Sequence, residues 1–138
     1  MKTRRLGPFA VSAIGLARRV TGVPASVQNE FSPRFRSSEP TLDLCAKNGV
    51  AFLPWSPLGG RQAKEVGGNF AVITEIADRH RVSPQQVVLA WELALADQVI
   101  PIPGASRPES IIDSAQAADL ELSADEVEQL SAISQGIR

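Results

Sequence analysis

The sequence contains no tyrosine and a single histidine, His80, so two of the side chains most used for proton transfer near neutral pH are almost missing. Acid-base chemistry would have to come from carboxylates, lysines or a group outside the chain. The single cysteine, Cys45, cannot form an internal disulfide, and no segment combines a charged start, an apolar middle and a small-residue cleavage site. A reducing, cytoplasmic setting is the expectation. No apolar run approaches the roughly 18 residues that suggest a membrane span. Basic and acidic residues nearly balance, 14 against 15, and are mixed along the chain, which gives no electrostatic case for nucleic acid or an anionic membrane as a partner.

What is present suits one globular domain: 138 residues, 43% hydrophobic and 21% charged. Arg4 to Leu16 reads as two short extended pieces around Gly7-Pro8, then the small apolar run Ala13-Ile14-Gly15-Leu16, a hairpin leading into a strand. Ala17 to Val20 is too short for a stable helix, and Ala25 to Gln28 is a strand candidate after Pro24. Ser38 to Asn48 has helical spacing at Leu42, Leu44 and Cys45 and stops at Gly49, a natural helix C-terminus. Val50 to Trp55 reads as a buried strand suited to a sheet covered on both faces.

Asn69 to His80 places Val72, Ile73, Ile76 and Ala77 on one helical face. Ser83-Pro84-Gln85-Gln86 opens a second helix, with Ser at the N-cap and Pro at the first turn, predicted to bury Val87, Trp91 and Ala94. Val99 to Ile102 is a further apolar strand. Pro101 and Pro103 lie two apart in it, so both missing N–H groups face the same neighbour and pairing on that side should be weak. Ser106-Arg107-Pro108-Glu109 reads as a capping-box start to a helix running to about Ala118, and a last helix begins at Ser123-Ala124-Asp125-Glu126. Strands alternating with helices predict an α/β fold built from parallel βα units.

Three segments, Ser26-Val-Gln-Asn-Glu-Phe-Ser32, Ala51-Phe-Leu-Pro-Trp-Ser-Pro-Leu-Gly59 and Val99-Ile-Pro-Ile-Pro-Gly-Ala-Ser106, together resemble strands six, seven and eight of the aldo-keto reductase family. Met1 to Gly7 with Val11 to Leu16 resembles that family's N-terminal hairpin and first strand. The resemblance implies a partial (β/α)8 barrel of the TIM type, about four parallel strands with covering helices and an N-terminal β-hairpin. Residues 1–16 would supply the hairpin and first strand, and residues 17–138 a C-terminal half-barrel with the cofactor loops, all in one domain. A complete barrel needs about 250 residues. Strands two to five are therefore expected to be missing, with the break near Leu16-Ala17, as if by an internal deletion.

The family reaction is NADPH-dependent carbonyl reduction, in which a tyrosine protonates the oxygen with help from a lysine, an aspartate and usually a histidine. None of those catalytic positions is matched by Lys2, Lys47, Lys64 or His80, so the resemblance implies no catalytic residue in this chain and doubtful autonomous catalysis. It does imply a partial NADP(H) site. Gln28 would bond the nicotinamide carboxamide, or else be a polar strand end; Trp55 would stack on the ring, or else pack in the core. Ser56, Leu58 and Gly60 would approach the pyrophosphate, with Arg61 and Lys64 as further cations or simply solvated charges. Gly104, Ser106 and Arg107 would receive the adenosine 2′-phosphate at a helix N-terminus, with an ordinary N-cap role for Ser106 as the competing reading. Ser110 stands where many members carry an arginine for that phosphate, and Asp113 and Ser114 stand where the family usually has Glu and Asn on the adenine.

His80 suits the C-terminus of its helix better than a metal, no cluster has metal-ligand spacing, and Cys45 is expected in the core. An arc of four strands would leave two unpaired edges, and two copies about a two-fold could complete a barrel. A homodimer through exposed sheet edges is thus expected. The alternatives are a half-barrel completed by a different chain, giving an active oxidoreductase, and a structural remnant without a ligand.

Overall fold

The computed structural model describes residues 24–60 and 70–133. The hairpin and strand expected in residues 1–16, the break near Leu16, and Arg61 and Lys64 lie outside the described residues. Two strands, β1 (Ser26–Glu30) and β2 (Ala51–Trp55), pair in parallel with Ser26 opposite Ala51 and Glu30 opposite Trp55. Between them runs α1 (Glu39–Asn48). After β2 come α2 (Ala71–His80) and α3 (Pro84–Leu95), then α4 (Pro108–Gln116), a 3₁₀ turn at Ala117–Asp119, and α5 (Ala124–Ser131). The βα alternation is that read from the sequence. Among the described residues it makes a small parallel sheet with five α-helices.

Three helix ends have a clear local cause. Gly49 ends α1 at φ 64°, a left-handed conformation that glycine adopts without steric cost, and its N–H closes onto Ala46 O and Cys45 O. Ser83 caps α3, its Oγ accepting from Gln86 N at 3.1 Å with Pro84 in the first turn. A full capping box starts α5: Ser123 Oγ accepts from Glu126 N, and Ser123 N donates to Glu126 Oε2 at 2.9 Å. The expected capping box at Ser106 does not form. Arg107 is the N-cap of α4 and no side chain caps it. That helix also stops at Gln116, short of the expected Ala118, because the backbone tightens into the 3₁₀ turn.

The expected strand Val99 to Ile102 reduces to two isolated parallel bridges, Phe52 with Val99 and Trp55 with Ile102. The cause lies on both partners. Ile100 N donates to Phe52 O at 2.9 Å and Ile102 N to Pro54 O at 3.2 Å, but Pro54 has no N–H to return to the Ile100 carbonyl. Pro101 and Pro103 alternate with those donors, so their nitrogens face away from β2. Phe52 N donates to Gln98 O at 2.8 Å, so donation becomes one-sided only past that bond.

The core lies between the sheet and the helix layer. Phe52 from β2, Phe31 after β1, Leu42 and Cys45 from α1, Ile73 and Ile76 from α2, Val87 and Trp91 from α3 and Leu130 from α5 are all buried. Full burial of each large apolar side chain stabilises the fold by about 1.5 to 3 kcal/mol. Phe31 stacks on Trp91 at 5.8 Å and meets Phe52 edge-on at 6.0 Å. The Arg36 guanidinium lies over both Phe31 and Trp91, at 5.4 and 4.9 Å, and pairs with Glu39. Burial raises the Cys45 thiol above its ordinary pKa, as suits a packed core residue. One expectation fails here: Ala94 is exposed, on the side of α3 away from the core; among the described residues, helices cover one face of the sheet. Alternation puts Val27, Phe52, Pro54 and Val99 toward the helices, and leaves Gln28, Leu53, Trp55, Ile100 and Ile102 on the open face.

Candidate functional site

Because the strands are parallel, the segments that follow them leave the sheet at the same end, its C-terminal edge. That topology gathers the candidate residues that are distant in sequence. Gln28 is exposed on the open face of β1, opposite Leu53 in the register, and Trp55 ends β2 on that same face, 41% exposed. Trp55 is therefore not the buried packing residue that a lone tryptophan in an apolar strand suggests. Glu30, opposite Trp55, shares the face; desolvation raises its carboxyl above the ordinary value.

The turn after β2 contains three left-handed residues: Ser56 at φ 52°, Gly59 at φ 82° and Gly60 at φ 61°. A Cβ on Gly60 would come within 3.3 Å of Ser56 Oγ, so the turn closes tightly on the serine hydroxyl. Gly59 N donates back to Ser56 O at 2.8 Å. Backbone N–H groups presented by a tight turn can receive phosphate oxygens, and the Gly59 N–H is already spent within this one. A Cβ on Gly59 would sit 3.7 Å from Cδ of Arg34, which brings the loop after β1 against this turn; Arg34 also lies over the Phe70 ring at 5.5 Å. The sequence reading missed Arg34. Nothing in Ser-Pro-Arg-Phe marks it, since its place depends on the parallel pairing of β1 with β2.

Gly104, Ser106 and Arg107 are exposed and lead into α4. With no side chain among the described residues capping that helix, its first turn suits an anionic group at the positive end of the helix dipole. The residues expected at an adenine differ in kind. Asp113 accepts from Ser83 Oγ and from Gln86 Nε2, each at 2.7 Å, and Gln86 Nε2 also bonds Gln116 Oε1 at 3.2 Å. The Asp113 carboxylate thus ties α4 to the cap of α3, while Ser114 is half-buried beside the groove between those helices. The residues fit a nicotinamide and a pyrophosphate better than they fit an adenine.

Comparisons with known proteins place the chain in a family. The aldo/keto reductase family profile matches residues 10–135. The chain belongs to the aldo/keto reductase family. Among curated relatives, glyoxal reductase of Bacillus subtilis is 33% identical over 115 residues, covering 83% of this chain and 39% of that protein. Pyridoxine 4-dehydrogenase of Escherichia coli is 30% identical over 118 residues, 86% of this chain and 40% of that one. The chain thus spans about 40% of the length of these two relatives. Among solved structures, the thermostable aldo-keto reductase Tm1743, crystallised with the inhibitor epalrestat, superposes with a TM-score of 0.74 at 28% identity, covering 86% of this chain and 43% of that one. Gox0644, solved as a mutant in complex with NADPH, gives 0.73 at 26%, covering 88% and 43%.

Within this aldo/keto reductase chain, no group of three or more potential metal ligands forms among the described residues. No helix of the described residues is long and apolar enough to cross a membrane. His80 lies instead against Glu126, far along the sequence.

Proposed function

We propose that this chain is a partial NADP(H)-binding unit of the aldo/keto reductase family that does not complete carbonyl reduction by itself. The observation that carries the reading is the shared placement of Gln28, Trp55, the Ser56–Gly60 turn and the uncapped start of α4 at one end of the sheet. When bound, the dinucleotide would supply the hydride; the chain's residues hold and orient it. The Gln28 amide offers a donor and an acceptor to the carboxamide, and Trp55 a flat apolar face to the ring. Ser56, Leu58 and Gly60 line the close approach to the pyrophosphate, with Arg34 adjoining the turn. Gly104, Ser106 and Arg107 take the terminal phosphate, Arg107 by charge-assisted hydrogen bonds. Asp113 and Ser114 mark the adenine end, where a carboxylate already engaged with Ser83 and Gln86 weakens the fit.

Reduction also needs a proton for the carbonyl oxygen. With no tyrosine anywhere in the chain, that proton would come from water, and the loss of a positioned acid forfeits roughly 10²- to 10⁴-fold in rate. The test is NADPH oxidation with simple aldehydes. The chain alone is expected to consume no NADPH above background, and a robust carbonyl-dependent rate would refute the non-catalytic reading.

A second reading is favoured by the open sheet face: a complementary chain supplies the rest of the barrel and its acid. It predicts that carbonyl-dependent oxidation appears only when a fragment carrying those strands is added.

A further inference from the structure

Glu30 stands opposite Trp55 in the β1–β2 register, and facing residues of neighbouring strands lie about 5 Å apart with their side chains on the same side of the sheet. Gln28 projects on that side too, about 7 Å back along β1. Carboxyl, indole and amide therefore share one short stretch of the C-terminal edge. Glu30 is half-buried and Trp55 is 41% exposed, so a flat ring laid on the accessible indole comes to rest beside the carboxyl.

The described residues around that carboxyl carry little charge. On β1 Glu30 is the one ionisable group, and neither β2 nor residues 99–103 bear a titratable side chain. Of the arginines after β1, Arg34 lies toward Gly59 and Phe70, and Arg36 packs on Phe31 and Trp91 on the helix side. Desolvation raises the Glu30 carboxyl above its ordinary value, yet at pH 8 it remains a carboxylate. The nicotinamide ring is the part of the dinucleotide whose charge follows its redox state: cationic when oxidised, neutral when reduced, with the same phosphates in both. A carboxylate at its flank attracts the cation and is indifferent to the neutral ring. The indole face adds a smaller attraction of the same sign.

We infer that Glu30 sets the redox-state specificity of this site, making it bind NADP+ more tightly than NADPH. The inference rests on the nicotinamide placement proposed for Trp55. Gln28 and the phosphate contacts serve both forms alike, so they raise affinity without choosing between them. A site of this kind holds the oxidised cofactor more firmly than the reduced one.

Calorimetric titration of the full chain with NADP+ and with NADPH at pH 8 tests it. The dissociation constants should favour NADP+ about fivefold or more, and Glu30→Gln, with an unchanged circular dichroism spectrum, should cut that ratio at least about threefold by weakening NADP+ alone. A second measurement needs no substitution: quenching of Trp55 by 1-methylnicotinamide, a cation that carries the charged ring without phosphates. In the wild-type chain that quenching should weaken from pH 8 to pH 4, as Glu30 takes up a proton, and in Glu30→Gln it should stay flat. If neither dinucleotide binds, the cofactor reading falls and this inference with it. If both bind wild type equally, if Glu30→Gln keeps the wild-type ratio, or if the quenching ignores both pH and the substitution, this inference alone is overturned.

Discussion

His80 Nε2 lies 3.0 Å from Oε1 and 3.1 Å from Oε2 of Glu126, joining the last residue of α2 to the first turn of α5 across 46 residues of sequence. The same carboxylate accepts from Ser123 N and Ser123 Oγ, and from the more exposed Arg79 at 2.8 Å. One buried acid therefore serves both as half of a capping box and as the clasp between two helices.

The clasp sets an acid-sensitive window. The backbone hydrogen bond from Ser123, with the His80 contact, lowers the Glu126 pKa from 4.5 to about 2. A carboxylate whose folded pKa is depressed stabilises the fold above its unfolded value and loses that contribution as pH falls through the folded one. Denaturant unfolding of the native chain should therefore weaken between pH 4.5 and 2. Glu126→Gln is expected to be less stable at pH 7 by about 1 to 3 kcal/mol and to show a flatter profile over that window. Equal acid sensitivity in both proteins would contradict the assignment.

Glu92 on α3 has the opposite sign. It is fully buried, neither carboxyl oxygen has a hydrogen-bond partner among the described residues, and desolvation raises its pKa well above 4.5. The folded state thus holds a proton that the unfolded state releases, so stability falls as pH rises above 4.5. Glu92→Met, of similar length and apolar, should stabilise the protein by about 1 to 3 kcal/mol at pH 8 and by less at pH 5. A Met variant that is destabilised at pH 8 would show that the carboxylate has a partner in solution.

At the phosphate end, Arg107 is exposed at the N-cap of α4, and no side chain among the described residues caps that helix. Arg107→Met should weaken NADPH binding about tenfold or more and leave NADH binding nearly unchanged, since only NADPH carries the 2′-phosphate. Isothermal titration with both dinucleotides measures the difference, and an equal loss for the two would place Arg107 elsewhere on the cofactor.

Much of this arrangement was legible in the sequence because it is local. Gly49, Ser83-Pro84 and the Ser123–Glu126 box announce helix ends through interactions spanning a few residues, and each forms as read. The third strand was less legible, because its pairing depends on Pro54 in β2 as much as on its own Pro101 and Pro103. The Ser106 reading failed for a related reason: a capping pattern specifies hydrogen-bonding capacity, but the chain enters α4 one residue later. Arg34 beside Gly59, Glu126 beneath His80 and the buried Glu92 are products of tertiary packing and leave no mark on local spacing. The face occupied by Gln28 and Trp55 lies between these cases, since alternation places both on one side only once the register of β1 on β2 is known.

The central claim is that this incomplete aldo/keto reductase chain retains a usable cofactor cradle, and a fluorescence titration with NADPH tests it most directly. Trp91 is buried in the core and Trp55 is exposed at the site, so a stacked nicotinamide should quench the emission of Trp55 alone. The account predicts saturable quenching below millimolar NADPH, abolished in Trp55→Phe and weakened in Gln28→Ala. Absence of saturation at millimolar NADPH in the folded wild-type chain would contradict it.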